Sequence, residues 1–117
     1  MYKISKIPHK EQRYNTVGDW VFEGDEIKIM VSDTGDPRMN ALVGVHELVE
    51  VLLCKDRGIS QSDVDKFDMG HPELSDPGSH PDAPYKKEHE FATKVEKMLC
   101  DEFGIKWEEY EKILHNL

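Results

Sequence analysis

Residues Ala41–Cys54 read ALVGVHELVEVLLC, and the reading of this stretch decides the fold. Eleven of the fourteen residues are apolar or glycine; the other three are His46, Glu47 and Glu50. Such a run is too long for an ordinary strand and too short to span a bilayer. It reads as a helix buried on most sides. Ionisable groups in such a helix are costly unless they are paired or bind a metal. At about 100° per residue, with His46 at 0°, Glu47 falls at about 100° and Glu50 at about 40°. The three share one arc, and that arc is expected to face a polar pocket. The competing reading is the exposed stripe of an amphipathic helix.

The flanking residues give this helix its ends. Asp36 is a good N-cap, Pro37 suits the first helical position, and Gly58 is a natural stop after Lys55 and Arg57. Upstream, Asp19–Ser32 reads as a β-hairpin turning at Glu23-Gly24-Asp25. Trp20, Phe22, Ile27, Ile29 and Val31 are expected on its buried face. Residues 1–16 show no clear period and read as an extended or looped lead.

Downstream, Ser60 caps a short helix from Gln61 to about Asp68, packed through Val64 and Phe67. A loop of about sixteen residues follows, MGHPELSDPGSHPDAP from Met69 to Pro84. Loops of that length inside a small domain are usually functional or disordered, so this one is a candidate lid. A helix then runs from Tyr85 to about Phe103, with Tyr85, Ala92, Val95, Leu99 and Phe103 as its apolar stripe and His89 on the same stripe. A last helix from Trp107 to Leu114 turns Trp107, Tyr110, Ile113 and Leu114 inward. The fold class is therefore α+β, a small antiparallel hairpin or sheet packed on the buried helix with three further helices, in a single domain spanning 1–117.

Bulk properties exclude several roles. The 117 residues carry 15 basic and 24 acidic side chains, for a net charge of −9. No basic cluster exists to grip phosphates or an anionic membrane, so nucleic-acid and membrane partners are not expected. No apolar span approaches membrane length, and MYKISKIPHK lacks a signal-peptide core, so a cytoplasmic protein is the expectation. Cys54 and Cys100 sit in apolar patterns and read as two reduced core thiols.

His46 and Glu50 are four residues apart, so they project from one face at neighbouring turns and can share one metal ion. Imidazole and carboxylate together suit zinc, iron, manganese or nickel better than calcium. The same spacing places the two histidines of an HExxH helix on zinc, and Glu47 stands where the glutamate of that motif takes a proton from the attacking water.

On these residues, the hairpin followed by V-H-E-L-V-E resembles the core of the zincin-like metallopeptidases. It also resembles small bacterial and phage proteins of unassigned function that carry an HELVE helix. The resemblance covers residues 19–57 and, more loosely, His89. It implies that His46 is a metal ligand and Glu47 the general base, with Glu50 standing in place of the second histidine. Zincins draw a third ligand from downstream; His89 is the choice, because it lies on the packing stripe of another helix. Glu96 is the gluzincin-like alternative, or else a partner that orients His89. His71 and His80 read as surface residues able to reach the metal only if the loop closes. Tyr85 and Tyr110 read as core, with an oxyanion-stabilising role as the sharper option. No role is assigned to His9 or His115.

Two functions follow as expectations. One is a minimal zincin-like hydrolase of peptide or amide bonds that holds a divalent metal, expected to be zinc, and acts on a peptide or protein, with strand Glu26–Ser32 pairing an extended substrate at the cleft edge. The other is a non-catalytic phage or prophage accessory protein with a structural or degenerate metal site that binds a protein partner. A third arrangement, a di-metal site on Glu47, Glu50, His46, His89 and Glu96, ranks below these because no Glu-x-x-His motif occurs.

Overall fold

A computed structural model describes residues 1–117, and it is α+β. In chain order the elements are β1 (Tyr2–Ile7), β2 (Gly18–Glu23), β3 (Glu26–Ser32), α1 (Pro37–Asp56), α2 (Gln61–Gly70), α3 (Lys86–Glu102) and α4 (Trp107–His115). Short 3-10 turns lie at His9–Glu11 and Pro77–Ser79.

The local signals around α1 act as their chemistry predicts. The Asp36 side chain accepts from Arg38 N–H at 2.8 Å, which satisfies one of the four donors a helix leaves unpaired at its start. Pro37 occupies the first turn, and Gly58 ends the helix at φ +70°, where a Cβ would be strained. Ser60 Oγ caps α2 by accepting from Asp63 N–H at 3.1 Å.

The sheet departs from expectation in two ways. The lead segment forms a strand: β1 pairs parallel with β3, from Tyr2 opposite Ile27 to Ile7 opposite Ser32. The sheet is therefore mixed, with order β1-β3-β2, where an antiparallel one was expected. The apolar residues of β1 are largely exposed, Ile4 at 50%, so no half-buried alternation marks the strand. Its pairing with β3 is what makes it a strand. Because β3 is central and paired on both sides, it has no free edge for a peptide, and the expected substrate pairing at Glu26–Ser32 is ruled out.

Ile27, Ile29 and Val31 turn their side chains onto α1, joined by Trp20; Phe22 is only half-buried. Leu42, Val43, Val51 and Cys54 complete the helix side of this core. Cys54 and Cys100 are both free and buried, as their apolar settings imply.

On the other side of α1 packs α3. Its deepest line is Tyr85, Glu88, Ala92, Glu96 and Cys100, whereas Val95, Leu99 and Phe103 are half-buried. The apolar stripe thus marked the flank of the contact. The centre holds two carboxylates, each paired: Glu88 takes Arg57 Nη1 at 2.7 Å, and Glu96 takes groups described below. On α4, Tyr110 is fully buried while Ile113 is exposed, contrary to the inward placing expected for it.

Candidate metal centre

The packing of α3 on α1 brings His89 against the polar arc of the HELVE helix. Three atoms converge there. His46 Nε2 lies 3.1 Å from Glu50 Oε2 and 3.2 Å from His89 Nδ1, and His89 Nδ1 lies 2.9 Å from Glu50 Oε2. His46 and Glu50 are buried and His89 is mostly so. The arc therefore faces inward, and the exposed-stripe reading fails.

Each of the three groups is held from behind. His46 Nδ1–H donates to Glu96 Oε1 at 2.8 Å, and Glu96 Oε2 in turn accepts from the Tyr110 hydroxyl. His89 Nε2–H donates to Asp76 Oδ1 at 3.0 Å, and Asp76 accepts from Ser79 Oγ. The Trp20 indole N–H donates to Glu50 Oε1 at 3.0 Å, leaving Oε2 directed at the centre. With the outer imidazole nitrogens carrying the protons, both inner nitrogens present lone pairs. Two lone pairs and a carboxylate oxygen about 3 Å apart repel one another unless positive charge lies among them, either protons or a cation.

The donor set passes a simple fit test for an ion. Tetrahedral zinc with bonds of about 2.0–2.1 Å separates its ligand atoms by about 3.3 Å, close to the edges of this triangle. Histidines whose second nitrogen donates to a carboxylate are also the usual metal-binding arrangement. Glu96 is not a third ligand, because it faces the outer nitrogen of His46; nor does it orient His89, a task that falls to Asp76.

Without an ion, protons fill the centre. Burial disfavours the charged form of His89, but its bonds to Asp76 and Glu50 outweigh this and raise it to about 9. His46 is likewise lowered by burial, yet Glu50 and Glu96 carry it well above the usual imidazole value. Burial pushes Glu50 up, and its bonds to the two histidines more than reverse this, holding it at about 2.

Glu47 differs from its neighbours. It is 8% exposed, and its carboxyl has no hydrogen-bonding group of the protein against it. Burial, reinforced by Glu50, pushes it well above the usual carboxylate range. Gly18 of β2 leaves room for it: a Cβ there would stand 2.5 Å from Glu47 Oε1 and 2.7 Å from its Cγ. Glu47 borders a cavity of about 410 Å³ beside the convergent atoms, which Trp107 and Tyr110 also line.

The Met69–Pro84 loop belongs to this centre through Asp76 and Gly78. A Cβ on Gly78 would lie 2.4 Å from His89 Cγ and 2.5 Å from Nδ1, so only glycine lets the turn lie against the ring. Gly78→Ala should tilt His89 and weaken zinc binding about 10–100-fold, the usual cost of disturbing a ligand's support. Competition with a chromophoric chelator measures it, and unchanged affinity would show that the turn does not position the ring.

Other sequence-derived candidates lie elsewhere. His71 stacks on Phe67 with ring centroids 4.3 Å apart and donates Nδ1–H to Phe67 O, and His80 lies on the same aromatic group, so neither joins the centre. Tyr85 donates its hydroxyl to Asp68 and Tyr110 to Glu96, so neither is free to stabilise an oxyanion. His9 and His115, assigned no role, border the cavity. Sequence reasoning missed Trp20 and Asp76. For Trp20 a signal existed: a buried indole N–H needs an acceptor.

No protein-family model matches the chain, and no curated protein or solved structure matches it. No helix is long and apolar enough to cross a membrane.

Proposed function

We propose that the protein holds one divalent metal ion, zinc by the chemistry of its donors, on His46, Glu50 and His89, and that it hydrolyses peptide or amide bonds with Glu47 as general base. The observation that carries this reading is the convergence of three donor atoms, each locked from behind by Glu96, Trp20 or Asp76. The ion, when bound, supplies Lewis acidity to the substrate carbonyl and lowers the pKa of water. Glu47, unpaired and raised in pKa, suits the taking up of a proton from the attacking water. The burial of His46 and Glu50 strengthens their electrostatic interactions.

A zincin-like relationship fits the order of hairpin, HELVE helix and downstream histidine. Under it, β2 replaces β3 as the strand beside the cleft, since Gly18, Asp19 and Trp20 border the cavity and β2 lies at the sheet edge. The activity reading and the metal reading separate in experiment.

Metal analysis of untagged protein should find about one equivalent of zinc, and titration should give an affinity that climbs with pH. The sign follows from His89: it binds a proton until about pH 9, and zinc must displace that proton. In the metal-free protein the raised His89 stabilises the fold below its unfolded value near 6.5, and this contribution is lost as pH rises through about 9. Zinc's added stability is therefore greatest at the alkaline end of that window. Zinc uptake with no pH dependence, or none at all, would remove the proposal.

A further inference from the structure

We propose that the cavity selects a cationic ligand, a peptide whose lysine or arginine side chain seats against Asp65 and Asp68 on α2 while its backbone lies toward Glu47. This deepens the hydrolase reading and rests on it for the reaction, though not for the binding. Eight residues bordering the cavity are Asp or Glu, and none is Lys or Arg.

The charges on the α2 side do not balance. Arg13 donates to both oxygens of Asp19, at 2.7 and 2.9 Å, and to both of Asp65, each at 3.0 Å. One guanidinium thus serves two carboxylates. Asp68 is buried and accepts from Tyr14 and Tyr85 hydroxyls, at 2.8 and 2.7 Å. Those donors are neutral, so they satisfy its geometry and leave its charge uncompensated. Asp65 and Asp68 are three apart on α2 and therefore neighbours on one face.

A second observation points to a ligand independently of the acidic lining. Glu47 is more than nine-tenths buried, borders the cavity, and meets no donor from the protein. Its carboxyl oxygens are open to the cavity, where an incoming N–H group can donate to them. On the α2 side, away from His46 and His89, the carboxylates of Asp19, Asp65 and Asp68 outnumber the single guanidinium of Arg13, and a cleft with such an excess attracts ligands of the opposite sign.

The test compares two probes of similar length, Nα-acetyl-arginine amide and Nα-acetyl-norleucine amide, titrated calorimetrically into zinc-free and zinc-loaded protein. The arginine probe should bind roughly ten-fold or more tightly in both forms, and added salt should erode the difference. Asp65→Asn and Asp68→Asn should each weaken the arginine probe several-fold and leave the norleucine probe unchanged. If Asp68→Asn does not fold, Asp65→Asn, at a partly exposed position, carries the comparison. Equal affinity for the two probes, or an arginine affinity unmoved by Asp65→Asn, overturns the proposal. The preference in zinc-free protein separates it from the metal reading: failure to bind zinc leaves the cation seat standing, and equal probe binding to zinc-loaded protein leaves the metal site standing.

Discussion

His46→Ala should bind no zinc and should melt at least about 10 °C below the parent protein even in the absence of metal. Two losses combine. The imidazole supplies one of three convergent donors, and a His-Glu pair alone does not hold a structural or catalytic zinc, which takes three protein ligands or four. The substitution also strips a partner from two buried carboxylates at once, Glu50 and Glu96. Removing one member of a buried charged pair costs about 3–5 kcal/mol, because the other member stays buried without its counter-charge. For a chain of this length 1 kcal/mol moves the melting temperature by roughly 3–5 °C, which gives the expected drop. Added zinc should widen the gap. At a free concentration one hundred times its dissociation constant it stabilises the parent by about 2.7 kcal/mol and does nothing for the variant. Thermal melts of both proteins with and without zinc measure this, with His71→Ala as the control because His71 lies in the aromatic stack on Phe67. A full zinc response in His46→Ala would remove His46 from the ligand set.

Much of the frame behind this expectation is legible in the chain itself, for a physical reason. Asp36, Pro37, Ser60 and Gly58 act on backbone groups within a few residues of themselves, so their effect is local and readable. The His46–Glu50 pair is readable on the same ground, being one turn apart on one helix. What escaped reading depends on contacts between distant segments. β1 has no pattern of its own and becomes a strand only when β3 lies beside it. On α3 the deepest positions include Glu88 and Glu96, which hydropathy assigns to solvent. Their burial is tolerable only because Arg57, His46 and Tyr110 arrive from other helices. The groups that lock the centre are equally non-local: Trp20 is 30 residues from Glu50, and Glu96 is 50 from His46. Periodicity finds the face of a helix, but it does not reveal which distant polar group makes a buried charge affordable.

Glu47→Gln separates the metal reading from the hydrolytic one, because the two make opposite demands on this side chain. The amide keeps the shape of the carboxyl, and Glu47 is not among the three convergent donors, so zinc binding should stay within a few-fold of the parent. Any hydrolysis rate should fall by about 10²–10⁴, the range for loss of a positioned general base, with the loss in kcat. Stability should move the other way. In the metal-free protein Glu47 has a raised folded pKa, so it binds its proton more tightly when folded than when unfolded. Its contribution is favourable at low pH, and it declines as pH rises from the unfolded carboxylate value through the folded one. Above that window a charge is held in the interior beside Glu50 with no donor facing it. Glutamine does not titrate there, so the variant should lack the parent's loss of stability with rising pH and should gain on the parent between acid and pH 8. Urea unfolding at both pH values, alongside the zinc titration and a peptidase assay, reads all three effects on one protein. A variant that keeps zinc and gains stability in alkali, yet hydrolyses at the parent rate, would place the base elsewhere. A variant that loses zinc would place Glu47 in the ligand set with His46, Glu50 and His89.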